Sequence, residues 1–195
     1  MRLYWPRDLR PAFDALFDID EAMGDVVAKA TQPALAAIKL AWWRERLEEL
    51  DEGAVPAEPR LQAAAKELLP RGVSGRMIAE METGWATLAD MEPNAGRIAE
   101  RGRALFTCGA RLLGANDVHL ADAGSSFALV AAGRRYFAQV VTAPALKRHR
   151  FASRLRPLTA FAALAARDLK RASPEWPATP GRAWTILRHR LTGRI

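Results

Sequence analysis

The sequence predicts an all-α protein, a single helical bundle spanning residues 1–195. Three observations lead there. Ala and Leu dominate a composition that is 50% apolar, and the β-branched residues that favour strands are sparse. Apolar side chains recur at helical spacing in one segment after another. Proline-containing breaks separate these segments, and the connections between them are short. A chain of 195 residues is long enough to bury one sizeable core.

The first helix is expected over Pro11 to Lys29. At 100° per residue, Phe13, Leu16, Phe17, Ile19, Met23, Val26 and Val27 fall in one arc. Asp14, Asp18, Glu21 and Asp25 gather opposite, whereas Asp20 lies inside the apolar arc. Thr31 followed by Pro33 marks a second start, and that helix runs to about Asp51, closed by Gly53 and the Pro56 to Pro59 segment. Arg60 to Leu69, Ser74 to Asp90, Gly96 to Leu113, His119 to Val140 and Phe151 to Arg171 follow as helices. Residues 172–181, rich in proline, read as a rigid linker before a short basic helix from Arg182 to Leu191. Seven or eight helices joined in this way suggest a bundle.

No apolar run approaches the ~20 residues needed to span a bilayer. The opening residues lack the apolar core of a secretory signal, and Cys108 is the sole cysteine. A reducing cytoplasm, with peripheral association at the inner membrane, is therefore the expected location. The net charge of +7 is uneven. From Lys147 to Ile195 there are 12 Lys/Arg against 2 Asp/Glu, while the preceding 146 residues carry 17 and 20. One cluster comprises Lys147, Arg148, Arg150, Arg154 and Arg156, and a second comprises Arg188, Arg190 and Arg194 beside Trp184, Ile186, Leu187 and Leu191. A short basic helix with an apolar face suits an anionic membrane surface. Nucleic acid would feel the same charges, but no binding motif or aromatic interleaving supports it.

One string carries a resemblance. Ile38-Lys39-Leu40-Ala41-Trp42-Trp43-Arg44-Glu45 resembles a signature of the squalene/phytoene synthase family, and Gly53 and Pro59 fit its continuation. Ala15-Leu16-Phe17, Gly109 to Gly114, Asp122-Ala123-Gly124 with Phe127-Ala128-Leu129, and the closing Arg182 to Arg194 are similar to further family elements in order. The resemblance implies a shortened bundle of the isoprenoid synthase type. The shortening is similar to that of divergent bacterial members and of relatives among respiratory complex I assembly factors. Family enzymes join prenyl diphosphates, with two Asp-rich motifs holding Mg²⁺ against the leaving diphosphate.

Here the motifs are depleted. Gly24 and Ala28 stand where the first motif has carboxylates, and Ala128, Ala131 and Arg135 replace polar or acidic members of the second. The carboxylates left for a metal or diphosphate are Asp18, Asp20, Asp25 and Asp122, and Arg44, Arg134 and Arg135 are the candidate anion contacts. The expectation is a non-catalytic, synthase-like protein without a cofactor, binding an isoprenoid or lipid-like ligand or a partner protein at a membrane surface. Two alternatives stand beside it: a Mg²⁺-dependent prenyl transferase with a reduced site, and a purely structural partner-binding bundle.

Individual residues admit plainer readings. Asp20 is either a metal or ligand contact or a buried acid hydrogen-bonded to a Trp or Arg. Arg44 and Arg46 suit pairing with Glu48, Glu49 or Glu45 on the helix surface. Trp42 and Trp43 point about 100° apart, so both do not enter one cavity. Cys108 reads as a small core residue, and His119, His149 and His189 show no ligand spacing.

Overall fold

In the computed structural model the described residues are 2–136, 146, 149–171 and 179–195. They form α1 (Arg10–Lys29), α2 (Pro33–Leu50), α3 (Pro59–Glu67), α4 (Gly75–Ala79), α5 (Glu82–Ala86), α6 (Ala95–Leu113), α7 (Leu120–Tyr136), α8 (Arg156–Leu169) and α9 (Pro180–Thr192). Short 3₁₀ turns occupy Arg2–Tyr4, Arg7–Leu9, Leu69–Arg71 and Thr87–Ala89. Among the described residues the only β-type pairing is an isolated antiparallel bridge between Arg150 and Arg194. The all-α expectation holds. No described helix is long and apolar enough to cross a membrane.

α6 lies at the centre, packed against α1, α4, α5, α7 and α8. Its apolar face supplies Ile98, Leu105, Phe106 and Leu112 to a core shared with Phe13, Leu16, Ile19 and Met23 of α1. Ahead of α1, Trp5 stacks on Phe13 with ring centroids 3.8 Å apart, and Phe17 stacks on Phe161 of α8. These aromatic contacts fasten the N-terminal turns to α1 and α8.

Three boundaries differ from expectation. Ser74 to Asp90 is two short helices and a 3₁₀ turn rather than one helix. The break lets one end lie on α2 and the other on α6: a Cβ on Gly75 would meet the Leu47 carbonyl at 1.8 Å, and one on Gly84 the Arg97 carbonyl at 2.6 Å. α8 begins at Arg156, not Phe151, because Pro157 belongs in a first turn and the Phe151 N–H is committed to the Gly193 carbonyl at 2.9 Å. The linker expected over 172–181 gives way at Pro180, where α9 starts behind a Thr179 cap. Residues 172–178, like 137–140 of the expected sixth helix, lie outside the described residues.

The α6–α7 crossing depends on two glycines. A Cβ on Gly102 would sit 2.0 Å from the Gly124 carbonyl oxygen, and one on Gly124 would sit 2.2 Å from that of Gly102. The backbones touch, so neither position accepts a methyl group without moving a helix. Gly124→Ala should therefore destabilise the fold by about 1–3 kcal/mol, lowering Tm by about 2–4 °C per kcal/mol. Thermal unfolding followed by circular dichroism checks this.

Candidate functional site

Each candidate carboxylate sits in a different setting. Asp20 is buried on the inward face of α1, where its two oxygens face α5 and α6. Arg101 of α6 donates to both: Nε to Oδ1 at 2.8 Å and Nη2 to Oδ2. Trp85 Nε1 of α5 donates to Oδ1 at 2.8 Å, and the guanidinium lies 3.7 Å from the indole centroid. The side chains of Arg101 and Asp20 are only 4% and 8% exposed, so the pair is shielded from water and salt.

Gly24 belongs to this arrangement. It lies one turn beyond Asp20, and a Cβ there would meet the Trp85 ring at 2.7 Å. The indole fills the space that any side chain at position 24 would need. Of the two readings open for Asp20, the geometry is that of the acid hydrogen-bonded to both an Arg and a Trp.

The remaining candidates do not converge on it. Asp18 is exposed, two residues from Asp20 and so about 200° around α1. Asp25 pairs with Lys29 at 2.8 Å on the helix surface. Asp122, in the first turn of α7, faces His119 at 3.5 Å. Arg44 pairs with Glu48 at 3.1 Å and lies 3.7 Å from Glu82, and Arg46 pairs with Glu49 at 2.7 Å. Arg134 and Arg135 fall in α7, with side chains outside the described set, and Lys147 and Arg148 lie outside the described residues. Among the described residues no three His, Cys, Asp or Glu side chains are placed to hold a metal.

Other side chains take positions that the sequence did not announce. Trp43 is buried and Trp42 is exposed, with their rings edge to face at 5.4 Å. His119 and His149, unrelated by spacing, meet with ring centroids 4.4 Å apart. Asp117 holds this corner, taking the backbone N–H of His119 at 2.9 Å on one oxygen and contacting His149 Nε2 at 2.9 Å on the other. Cys108 lies in the core, and burial pushes its thiol up to about 12, far from nucleophilic use.

The basic C-terminal quarter divides into two groups. Arg156 and Arg182 are structural. Arg156 Nη1 donates to the carbonyls of Arg190 and Leu191, at the electronegative end of α9, and its Nε donates to the Phe151 carbonyl. Arg182 in the first turn of α9 binds both oxygens of Asp168 at 2.8 and 2.9 Å, latching α9 to α8. Between these ends His189 is buried, with Nδ1 3.0 Å from the Arg194 carbonyl and Nε2 2.9 Å from Thr159 Oγ1. A carbonyl only accepts, so Nδ1 carries the proton, while Nε2 faces the Thr159 hydroxyl, which also reaches the Leu155 carbonyl at 3.1 Å. The second group, Arg150, Arg154, Arg188, Arg190 and Arg194, is exposed. The guanidinium of Arg190 lies 5.4 Å from the Tyr4 ring.

Fold and site together define an all-α bundle with a buried Asp–Arg–Trp centre and a basic helix fastened along α8. No protein-family model, curated protein or solved structure matches the chain.

Two consequences can be measured. Asp20→Asn leaves the Arg101 cation buried without its counter-charge and should destabilise by about 3–5 kcal/mol in urea unfolding. Asp20→Leu combined with Arg101→Met should cost less than the two single changes summed. The second consequence concerns acid. Burial, with Arg156 and Arg188 nearby, lowers the His189 pKa below its ordinary 6.5, against the opposing pull of the Arg194 carbonyl. The unfolded chain then binds the proton more readily, so this contribution is complete above about 6.5 and is lost as pH falls toward the lower folded value. Stability measured from pH 7.5 downward should fall less steeply in His189→Asn than in the parent.

Proposed function

We propose that this protein is a non-catalytic helical bundle, built on a squalene/phytoene synthase-like plan, that works at an anionic membrane surface through α9. One observation carries the reading. The outward face of α9 is a stripe of Trp184, Leu187 and Leu191, which are 63%, 45% and 67% exposed, with Arg188 beside it. Those residues follow the i, i+3, i+7 spacing of one helix face. The opposite face is already satisfied by Thr159, Asp168 and the backbone. The Arg150–Arg194 bridge then brings together two arginines that are far apart in sequence, just beyond the C-terminal end of this helix.

An indole and two leucines collared by guanidiniums suit the boundary between headgroups and acyl chains. Each arginine near an anionic leaflet contributes about 1 kcal/mol, so four or five together hold a protein of this size. The non-catalytic part of the reading draws on Asp20, whose oxygens are occupied by Arg101 and Trp85. The isoprenoid or lipid-like ligand is then met as part of the membrane, because the indole takes the space beside Gly24.

Sedimentation with phosphatidylglycerol-containing vesicles tests this. Binding should exceed that to phosphatidylcholine alone and fall with added salt. Arg188→Gln with Arg194→Gln should weaken binding by roughly five-fold per charge, and Trp184→Ser should weaken it in both salt regimes. Point changes are the right tool, since truncating α9 would also remove the partners of Arg156 and Asp168. Incubation with a prenyl diphosphate and Mg²⁺ should release no diphosphate. Unchanged vesicle binding in these variants, or clear turnover, overturns the reading.

A further inference from the structure

A second surface, away from the buried centre, gathers cations from three helices. α1, α2 and α3 enclose an open groove of about 270 Å³. Its apolar wall is Ala22, Val26 and Trp43. Lys29 enters from the last turn of α1, Lys39 from α2 and Arg60 from the first turn of α3. Two carboxylates temper this charge. Asp25 lines the rim and pairs with Lys29 at 2.8 Å, and Glu58 meets Arg60 at 3.3 Å while its other oxygen caps the Leu61 N–H. Lys39 pairs with no described carboxylate, so its ammonium is the one whose charge is not answered within the groove.

We propose that this groove binds a small phosphomonoester, with Lys39 as the principal contact and Lys29 and Arg60 closing on it from either side. Lys39 supplies the unpaired donor, and Lys29 and Arg60, each already paired with a carboxylate, add positive charge at the rim, which suits a doubly charged phosphate better than a singly charged carboxylate. The volume is below the roughly 300–1,000 Å³ of sites for drug-sized ligands, so a headgroup and the start of its stem fill it. The apolar wall takes that stem. The same chemistry is presented by a soluble phosphomonoester and by the headgroup of phosphatidic acid. This site is separate from the α9 face, and either reading can fail without the other.

Titration of the full chain with glycerol 3-phosphate, followed by calorimetry, is the first test. Saturable binding at one site per chain is expected, weaker by about ten-fold in Lys39→Gln, the loss of one charge-assisted contact. Asp25→Asn should tighten binding, because it removes the opposing rim charge. Neither residue contributes to the buried core, and thermal unfolding of each variant should match the parent. Acetate serves as the carboxylate control and should bind more weakly.

Vesicles separate the two sources. In a chain already carrying Arg188→Gln and Arg194→Gln, retention on phosphatidic acid above phosphatidylglycerol, abolished by Lys39→Gln, identifies the lipid headgroup. Binding of glycerol 3-phosphate without that preference identifies a soluble ligand. Absence of saturable binding, indifference to Lys39→Gln, or equal binding of acetate overturns the proposal.

Discussion

A carboxylate, a guanidinium and an indole from three different helices meet in the interior, and the arrangement of the bundle follows from satisfying them together. Asp20 has entered the core on an otherwise apolar face of α1, where an unpartnered charge would be prohibitive. Arg101 answers it from α6 through two hydrogen bonds, and Trp85 adds a third from α5 while its ring face receives the guanidinium. Such a pair contributes little net stability over a well-packed apolar trio, because both ions lose their hydration. What it contributes is position. The bidentate geometry fixes the rotation of α1 against α6, and Gly24 must then be bare for the indole to reach Asp20.

From that fixed centre the other close approaches become intelligible. α6 is held on one side by Arg101, and about 100° further round it presents Gly102 to Gly124 of α7 so tightly that the backbones touch. Gly84, one residue before Trp85, also lies close against α6, where a Cβ would meet that of Arg101 at 2.4 Å. The break between α4 and α5 serves the same end, turning the chain so that Trp85 faces inward while Gly75 sits on α2. Local helix propensity would have run a single helix through this segment. Tertiary packing overrode it.

Much of this was legible in the sequence. Helical periodicity in α1 and α6, and proline, glycine and capping residues around α2, located these long elements to within a residue or two. Asp20 could be picked out as an acid on the wrong face. Its partners could not, because Trp85 and Arg101 lie 65 and 81 residues away and nothing local marks either. Gly124 was conspicuous within the Asp122-Ala123-Gly124 string, yet its observed role is a backbone contact with Gly102. The start of α8 was missed although Pro157 signals it, because the apolar residues around Phe151 and Leu155 continue the helical pattern on paper. Pairing of the Phe151 segment with the chain end is long-range and leaves no periodic trace.

The division of the basic quarter into structural and exposed arginines bears most directly on function. Composition alone counts every cation equally. The structure assigns Arg182 to Asp168 and Arg156 to the carbonyl end of α9, and these two bonds, with buried His189 between them, hold the helix along α8. A helix fastened at both ends has one face left to offer, and on α9 that face is Trp184, Leu187, Arg188 and Leu191. Because α9 is already ordered, a surface that binds it does not bear the entropy of folding a disordered tail. The cations that remain exposed are then presented on a rigid support. The proposed membrane contact should therefore respond to individual exposed arginines and to Trp184, while changes at Arg156, Asp168 or His189 act first on the stability of the bundle itself.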